Sequence, residues 1–404
     1  MTAKNVIIFV APYRYLAFPY YKEIIPYLKH TGFKSVFLNL VYKDDISQDL
    51  SIGFDEIYHI ENTNIVKTSN KNNKLLNIIQ KIKQQKKNIL SIIKSLDPIA
   101  VISSSDLTLN DRIISRWCLK RKIPFMILQA GIVEGTNKKL NRPTLKHRVL
   151  YCLFNKILNI PIFRRQKIYG NEEINHTHLL IWSKYFVFNE KRKNIYFIGN
   201  PTFDKLFLMF SDKRVIKNKV VICTENIDDI YGIDLFNKIV DIYIEAIREL
   251  PNLFFIIKVH PREPIEKYES IFKQYQFPNV EIVKDVNLYD LFKECDIQVS
   301  VKSGSSLEAA AMGIPVITVV PPELYNQMTD FFRGEINIRV TSGEEFIEAI
   351  NKLLDYNYWA TFLQKRKKYF ENIMYSSDGQ SSKRTADTII QIIENNRKHF
   401  KKTV

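Results

Sequence analysis

LFFIIKVHPREP, residues 253–264, and DIQVSVKSGSSLEAAAMGIPVITVV, residues 296–320, decide how this chain folds. Each opens with an apolar run of strand length and closes on small, polar or cationic residues. In the second, a serine-rich turn leads into LEAAAM, a helix-forming run, and PVITVV follows after Gly313. Strand, turn, helix and strand at this spacing form the repeating unit of a parallel sheet covered by helices. The rhythm extends to both sides. Before it come VVICTEN from Val220 and a helical pattern over 235–249. Between the two stretches lie a helix over 264–275, VEIVKD from Val280 and a short helix over 288–295. Helical patterns continue from Glu344.

The first half repeats this arrangement. VIIFVAP from Val6, SVFLNLV from Ser35, IAVISSS from Ile99 and FMILQAG from Phe125 read as buried strands. Helical patterns over 20–29, 74–95 and 109–122 separate them. Residues 137–185 are less regular, and IYFIGNPTFD, residues 195–204, is expected to cross between halves. The expected fold is α/β: two Rossmann-like, doubly wound domains facing a cleft. The first is placed over 1–200 and the second over 201–376. A C-terminal helix over 377–404 is expected to return to the first.

Composition limits the alternatives. The chain has 404 residues, 46% hydrophobic and 25% charged, which excludes a disordered chain, a collagen or a low-complexity array. No run of about 18 apolar residues is present, so a spanning helix is not expected. MTAKNVIIFVAPYRY reads as an early first strand rather than a leader. Cys118, Cys152, Cys223 and Cys295 share no CxxC spacing, so buried or idle thiols in a reducing, cytoplasmic compartment are expected.

The net charge of +16 is unevenly spread. Residues 67–94 form an amphipathic helix with lysines between its isoleucines. Residues 138–167 interleave Arg142, Lys146, Arg148, Lys156, Arg164 and Arg165 with Tyr151, Leu153, Phe154 and Phe163. The tail ends NNRKHFKKTV. A solvated helix face, an anionic membrane surface or lipid-linked acceptor, and nucleic acid compete as readings. The mixture of cations and bulky apolar groups over 138–167 favours the membrane. No zinc-finger spacing, RNP1-like motif or basic zipper supports nucleic acid.

GxGxxG after the first strand, GxxxxGK[ST], GxSxG and HExxH are all absent, which argues against a dehydrogenase of that type, a P-loop NTPase and those hydrolases. The candidate chemistry sits at strand ends, which in doubly wound sheets face the ligand. His260 follows an apolar strand, Pro261 ends it, and Lys258 and Arg262 form a cationic rim suited to phosphate. After the strand at 296–302, Ser303, Gly304, Ser305 and Ser306 open a helix whose first N–H groups suit an anion. Glu308 could accept from a ribose hydroxyl, complement the helix dipole or complete a capping box. Thr224 and Glu225 end the second domain's first strand. In the first half, Glu134 and Asp106 stand at strand ends as candidate bases. Asp106 could instead cap the next helix.

These motifs, in this order, resemble the GT-B glycosyltransferase superfamily. They are most similar to the subset with HP and Ser-Ser motifs, the capsule-type sialyl- and Kdo-transferases and the CDP-glycerol glycerophosphotransferases. IGNPTFDKL (198–206) is similar to the segment entering the second domain of such enzymes, ILQAGIVEG (127–135) to an LQHG-like acceptor turn, and SDGQSSKR (377–384) to a DGxASxR stretch. The chain departs at Ala130, where relatives often have His. The resemblance implies transfer from a CMP-linked donor, with UDP or CDP as alternatives, to a surface or lipid-linked glycan. Inversion is expected, with no cofactor and no metal, because no DxD motif stands at a strand end. Peripheral attachment at the inner face of the cell membrane would accompany that acceptor. A UDP-N-acetylglucosamine 2-epimerase-like enzyme and a non-catalytic polyanion- or membrane-binding protein are the rival readings.

Overall fold

The computed structural model describes residues 5–11, 17–40, 53–60, 74–106, 108–131, 145–157, 177–187, 193–327 and 336–403. The chain divides into two units. Unit 1 takes Met1–Thr202, Ile373–Ser376 and Gln380–Val404, and unit 2 takes Phe203–Asn372 and Ser377–Gly379.

Unit 1 contains β1 (Val6–Ala11), α1 (Phe18–Lys29), β2 (Lys34–Asn39), β3 (Glu56–His59), α2 (Lys74–Leu96), β4 (Ala100–Ser103) and α3 (Leu109–Arg121). There follow β5 (Phe125–Leu128), α4 (Leu145–Leu150), a π-helical continuation over Tyr151–Ile157, β6 (Thr177–Ile181) and β7 (Ile195–Phe197). The strands form one sheet in the order β3-β2-β1-β4-β5-β6-β7, with every pairing parallel. Alternate side chains of β1 serve opposite faces. Ile7, Phe9 and Ala11 join Tyr21, Ile24, Ile25 and Leu28 of α1. Val6, Ile8 and Val10 join Ile89 and Ile93 of α2 and Ile113, Ile114 and Trp117 of α3. The Tyr21 hydroxyl, buried in the first layer, donates to the Val10 carbonyl at 2.9 Å.

Unit 2 contains α5 (Asp204–Leu208), β8 (Lys219–Cys223), α6 (Ile227–Tyr231), α7 (Ile233–Glu249), β9 (Phe254–Lys258), α8 (Ile265–Lys273), β10 (Val280–Val283) and α9 (Leu288–Lys293). It continues with β11 (Ile297–Ser300), α10 (Ser305–Ala311), β12 (Val316–Val319), β13 (Asn337–Val340), α11 (Gly343–Leu354) and α12 (Tyr356–Ile373). Its sheet runs β10-β9-β8-β11-β12-β13, again wholly parallel. Both units therefore start their sheet in the middle, build outward to one side, then cross and build outward to the other. The two doubly wound α/β units are those of the GT-B fold.

The last helix, α13 (Ser381–Thr403), belongs to unit 1, where Ala386, Ile389, Ile392 and Ile393 enter the α1 layer. Its first turn meets the GNP segment read from the sequence. The Arg384 guanidinium donates to the Ile198 carbonyl at 3.2 Å, and the Ser382 hydroxyl to the Pro201 carbonyl at 3.4 Å. Gly199 has φ +78° there, and a Cβ would come within 2.3 Å of the Ser381 hydroxyl. The motifs at 198–206 and 377–384 are thus neighbours in unit 1 as far as Pro201 and Arg384.

Candidate functional site

The order of the second sheet places β8 between β9 and β11, where the direction of building reverses. That reversal opens a crevice beyond the carboxyl ends of the strands. Three loops leave there: Thr224–Glu225 after β8, 259–263 after β9, and 301–306 after β11. At the usual strand spacing, the tips of β9 and β11 stand about 9–10 Å apart with the β8 tip between them.

Thr224 and Glu263 fix the β9 tip. The Thr224 hydroxyl accepts from the His260 backbone N–H at 2.9 Å and donates to Glu263 Oε2 at 2.5 Å. Glu263 is 1% exposed. Its other oxygen accepts from the Tyr268 hydroxyl at 2.8 Å and the Lys267 ammonium at 3.2 Å. Lys267 also pairs with Asp228 at 2.8 Å and lies over the Phe236 ring. A carboxylate this deep needs such partners to offset its lost hydration. The imidazole is oriented separately. The Arg262 backbone N–H donates to His260 Nδ1 at 3.2 Å. The neutral ring then carries its proton on Nε2, which is left as a donor.

Glu225 ties β8 to β11. Its Oε1 accepts from the backbone N–H groups of Val301 at 3.1 Å and Lys302 at 2.6 Å. Burial pushes its carboxyl up to about 7, against the opposing pull of those two N–H groups. Glu225 therefore sets the position of the serine-rich turn. Within that turn the serines divide. Ser306 is fully buried: its hydroxyl lies 2.9 Å from Gln298 Oε1 and 2.6 Å from the Ser300 hydroxyl. Ser303 and Ser305 are half-buried, and Gly304 is exposed. The Ser305 hydroxyl donates to the Ser303 hydroxyl at 2.8 Å.

The sequence reading expected open N–H groups at the start of α10. Instead the Ser305 N–H bonds to Ser303 Oγ at 3.3 Å, and the Ser306 N–H to the Ser303 carbonyl at 3.2 Å. The turn caps itself through Ser303, so an anion there would be met first by side chains. A Cβ on Gly304 would meet nothing within 4 Å. Glu308 is half-buried, accepts from the Tyr289 hydroxyl at 3.4 Å, and has its pKa raised by burial. Lys258 turns its ammonium to the Val259 carbonyl at 2.9 Å, while Pro261 and Arg262 are exposed.

In unit 1, Glu134 lies outside the described residues. Asp106 is 2% exposed. The cap of α3 is Thr108, not Asp106: its hydroxyl accepts from the Asp111 N–H at 3.1 Å, and Asp111 Oδ2 accepts in return from the Thr108 N–H at 3.1 Å. The Ser103 hydroxyl donates to the other Asp111 oxygen at 2.8 Å. Burial pushes the Asp111 carboxyl up to about 7, with the charge of Asp106 adding to it. In the LQAG turn, Gln129 is fully buried. Its Oε1 accepts from the Trp182 backbone N–H at 2.9 Å and its carbonyl from the Trp182 indole at 3.1 Å.

The sequence reading assigns no role to Glu263, Tyr268 or Lys267, although Glu263 stands next to last in the stretch LFFIIKVHPREP. A Lys four residues after a Glu stands at a helix-neighbour spacing, and that was the available signal; Tyr268, five residues on, carries no such signal. Cys118, Cys223 and Cys295 are buried and Cys152 is exposed. Among the described residues no group of His, Cys, Asp and Glu has the makings of a metal site. A 470 Å³ cavity lies elsewhere in unit 2, along the β13 edge between Tyr325, Arg339 and Lys365.

Known proteins reproduce the fold at low sequence identity. A family described as a protein of unknown function (DUF354) matches residues 182–373. Among curated proteins no relative matches the sequence. The chain is similar to a UDP-GlcNAc 2-epimerase from Neisseria meningitidis solved with UDP-GlcNAc bound. That match has 15% identity and a TM-score of 0.58 over 96% of this chain and 99% of the other. It is similar to CalG4, the calicheamicin glycosyltransferase, at 12% identity and a TM-score of 0.58 over 96% and 98%. MurG from Acinetobacter baumannii matches at 12% identity and a TM-score of 0.55 over 96% and 99%.

Proposed function

We propose that this chain is a glycosyltransferase that moves a sugar from a nucleotide-activated donor to a surface or lipid-linked glycan. The observation that carries the reading is the stitched carboxyl edge of unit 2. Three adjacent strand tips, β9, β8 and β11, are joined by Thr224, Glu263 and Glu225, and they present an oriented imidazole on one side and a serine turn on the other. Such an edge suits a nucleotide phosphate. His260 Nε2–H, the Ser303 hydroxyl, to which Ser305 donates, and the cation of Arg262 would meet its charge as the sugar–oxygen bond breaks and the electron pair moves onto phosphate. The exposed Gly304 lets a phosphate come close. Glu308 would hold a ribose hydroxyl.

The acceptor hydroxyl attacks the anomeric carbon from the opposite face, with inversion, and gives its proton to a carboxylate. Glu134 is the assigned base. Asp106, at 2% exposure, offers almost no surface to an acceptor. A CMP-linked donor is favoured on the HP and Ser-Ser motifs, with CDP and UDP as alternatives. The reading places the enzyme at the inner face of the cell membrane, and no described helix is long and apolar enough to cross one.

Thermal unfolding with CMP, CDP, UMP and UDP tests this. A nucleotide at a hundred times its Kd stabilises by about 2.7 kcal/mol. At least one is expected to raise the Tm of the parent, and His260→Ala is expected to weaken that nucleotide's binding. No stabilisation by any of the four would favour a non-catalytic scaffold. The epimerase reading is kept because such enzymes share the fold. UDP-GlcNAc incubated with the chain and no acceptor would be epimerised only under that reading.

A further inference from the structure

The helix over α4 and its π-helical continuation is held at one side and bare on the other. Asn155 is 4% exposed, and the Arg116 guanidinium of α3 donates to its carbonyl at 3.0 Å, which fixes the helix on unit 1. Leu145, Val149 and Leu153, at four-residue steps, stand 77%, 58% and 41% exposed. Arg148 and Cys152 are exposed beside them. Four-residue steps line one side of a helix, so this is a continuous apolar stripe turned to solvent. An isolated exposed leucine is ordinary, but a stripe of three within one short helix is not.

The charge in the sequence that contains the stripe has one sign. Residues 138–167 contain nine Lys and Arg and no Asp or Glu. Beneath the helix, Arg116 and Lys120 of α3 lie close enough to Lys86 of α2 to disfavour its charged form, adding to the effect of its burial. A protein partner with an apolar groove would need no such excess of cations. A bilayer with anionic headgroups uses both features together: acyl boundary for the apolar stripe, phosphates for the cations.

We propose that the helix over residues 145–157 is an interfacial anchor that sets unit 1 on an anionic lipid bilayer, with Leu145, Val149 and Leu153 entering the acyl boundary. This deepens the membrane part of the proposed function by naming the element and the lipid charge it selects. It does not depend on the nucleotide site, since vesicle binding needs no donor sugar.

Co-sedimentation of the full chain with phosphatidylcholine vesicles, with and without phosphatidylglycerol, tests it. The parent is expected to bind the anionic vesicles and to be released by high salt. The combined Leu145→Ser, Val149→Ser and Leu153→Ser variant should bind at least about tenfold more weakly, with an unchanged melting temperature because these side chains are exposed. Arg148→Glu should cost about fivefold for each unit of charge changed. An environment-sensitive dye on Cys152, the exposed thiol, should shift to an apolar signal on anionic vesicles. Equal binding to neutral vesicles, or full binding by the triple variant, overturns the anchor. A parent that binds no vesicles, yet is dimeric where the triple variant is monomeric, overturns it in favour of a second copy of the chain.

Discussion

The carboxyl edges of the two sheets use their acidic side chains in different ways. In unit 1, Asp111 joins the tip of β4 to the helix that follows it, a local tie made with Ser103 and Thr108. In unit 2, Glu225 and Glu263 reach across strands and fasten β8 to β11 and to the turn after β9. A local cap stabilises its own helix and leaves neighbouring tips independent. Cross-strand ties hold three tips in one geometry, so a ligand spanning them finds its groups already placed and less ordering cost remains at binding. In unit 1 the cross-strand tie lies elsewhere, between Gln129 past β5 and Trp182 past β6, so the β4 tip that carries Asp111 is tied only to its own helix.

The sharpest way to break this contrast is Glu263→Ala. It strips the acceptor from Thr224, Tyr268 and Lys267 together, and about 3 kcal/mol of stability should be lost in denaturant unfolding, with weaker nucleotide binding alongside. A loss below 1 kcal/mol would mean the tie is incidental. Next comes pH. Asp111 and Glu225 both have folded pKa values raised to about 7 by burial. The folded state therefore holds protons that the unfolded state releases near pH 4, and stability falls as pH rises from about 4 to about 7. For Asp111 the upper bound on that fall is about 4 kcal/mol. Asp111→Asn should flatten the slope measured by denaturant titration, and Glu225→Gln should remove a further share.

Smaller effects separate the two kinds of serine. Ser306→Ala leaves Gln298 and Ser300 short of a buried partner, which should cost about 1–2 kcal/mol while nucleotide affinity is retained. Gly304→Ala should do the reverse. It meets no atom of the chain and changes the melting temperature least of all, but it closes the approach of a phosphate and should weaken nucleotide binding. Unaltered affinity in Gly304→Ala would move the ligand away from this turn.

Strands buried on both faces were plain in the sequence, because β1, β4, β5, β8, β9 and β12 are near-continuous apolar runs. β3 (EIYH) and β13 (NIRV) escaped notice: they are edge strands with one side unpaired, and polar residues are tolerated there. β6 was hidden in the stretch read as irregular, where THLLI is short and follows a polar run. At the site, His260 and Ser303 could be found because polar residues end apolar strands. The roles of Glu225 and Ser306 could not, since which way a side chain turns just past a strand tip depends on the neighbouring strand. Glu263 needed both the fold and the following helix before its purpose was visible.

The place of α13 has a consequence for how the chain matures. Unit 2 is nearly contiguous, whereas unit 1 completes its α1 layer only with Ala386, Ile389, Ile392 and Ile393. During synthesis the amino-terminal half must therefore wait, one layer unfinished, until residues beyond 380 have left the ribosome. The half translated second can close first, contrary to the usual order of vectorial folding. Premature stops upstream of α13 would release a chain whose first sheet still shows bare hydrocarbon, a ready target for chaperones and proteases.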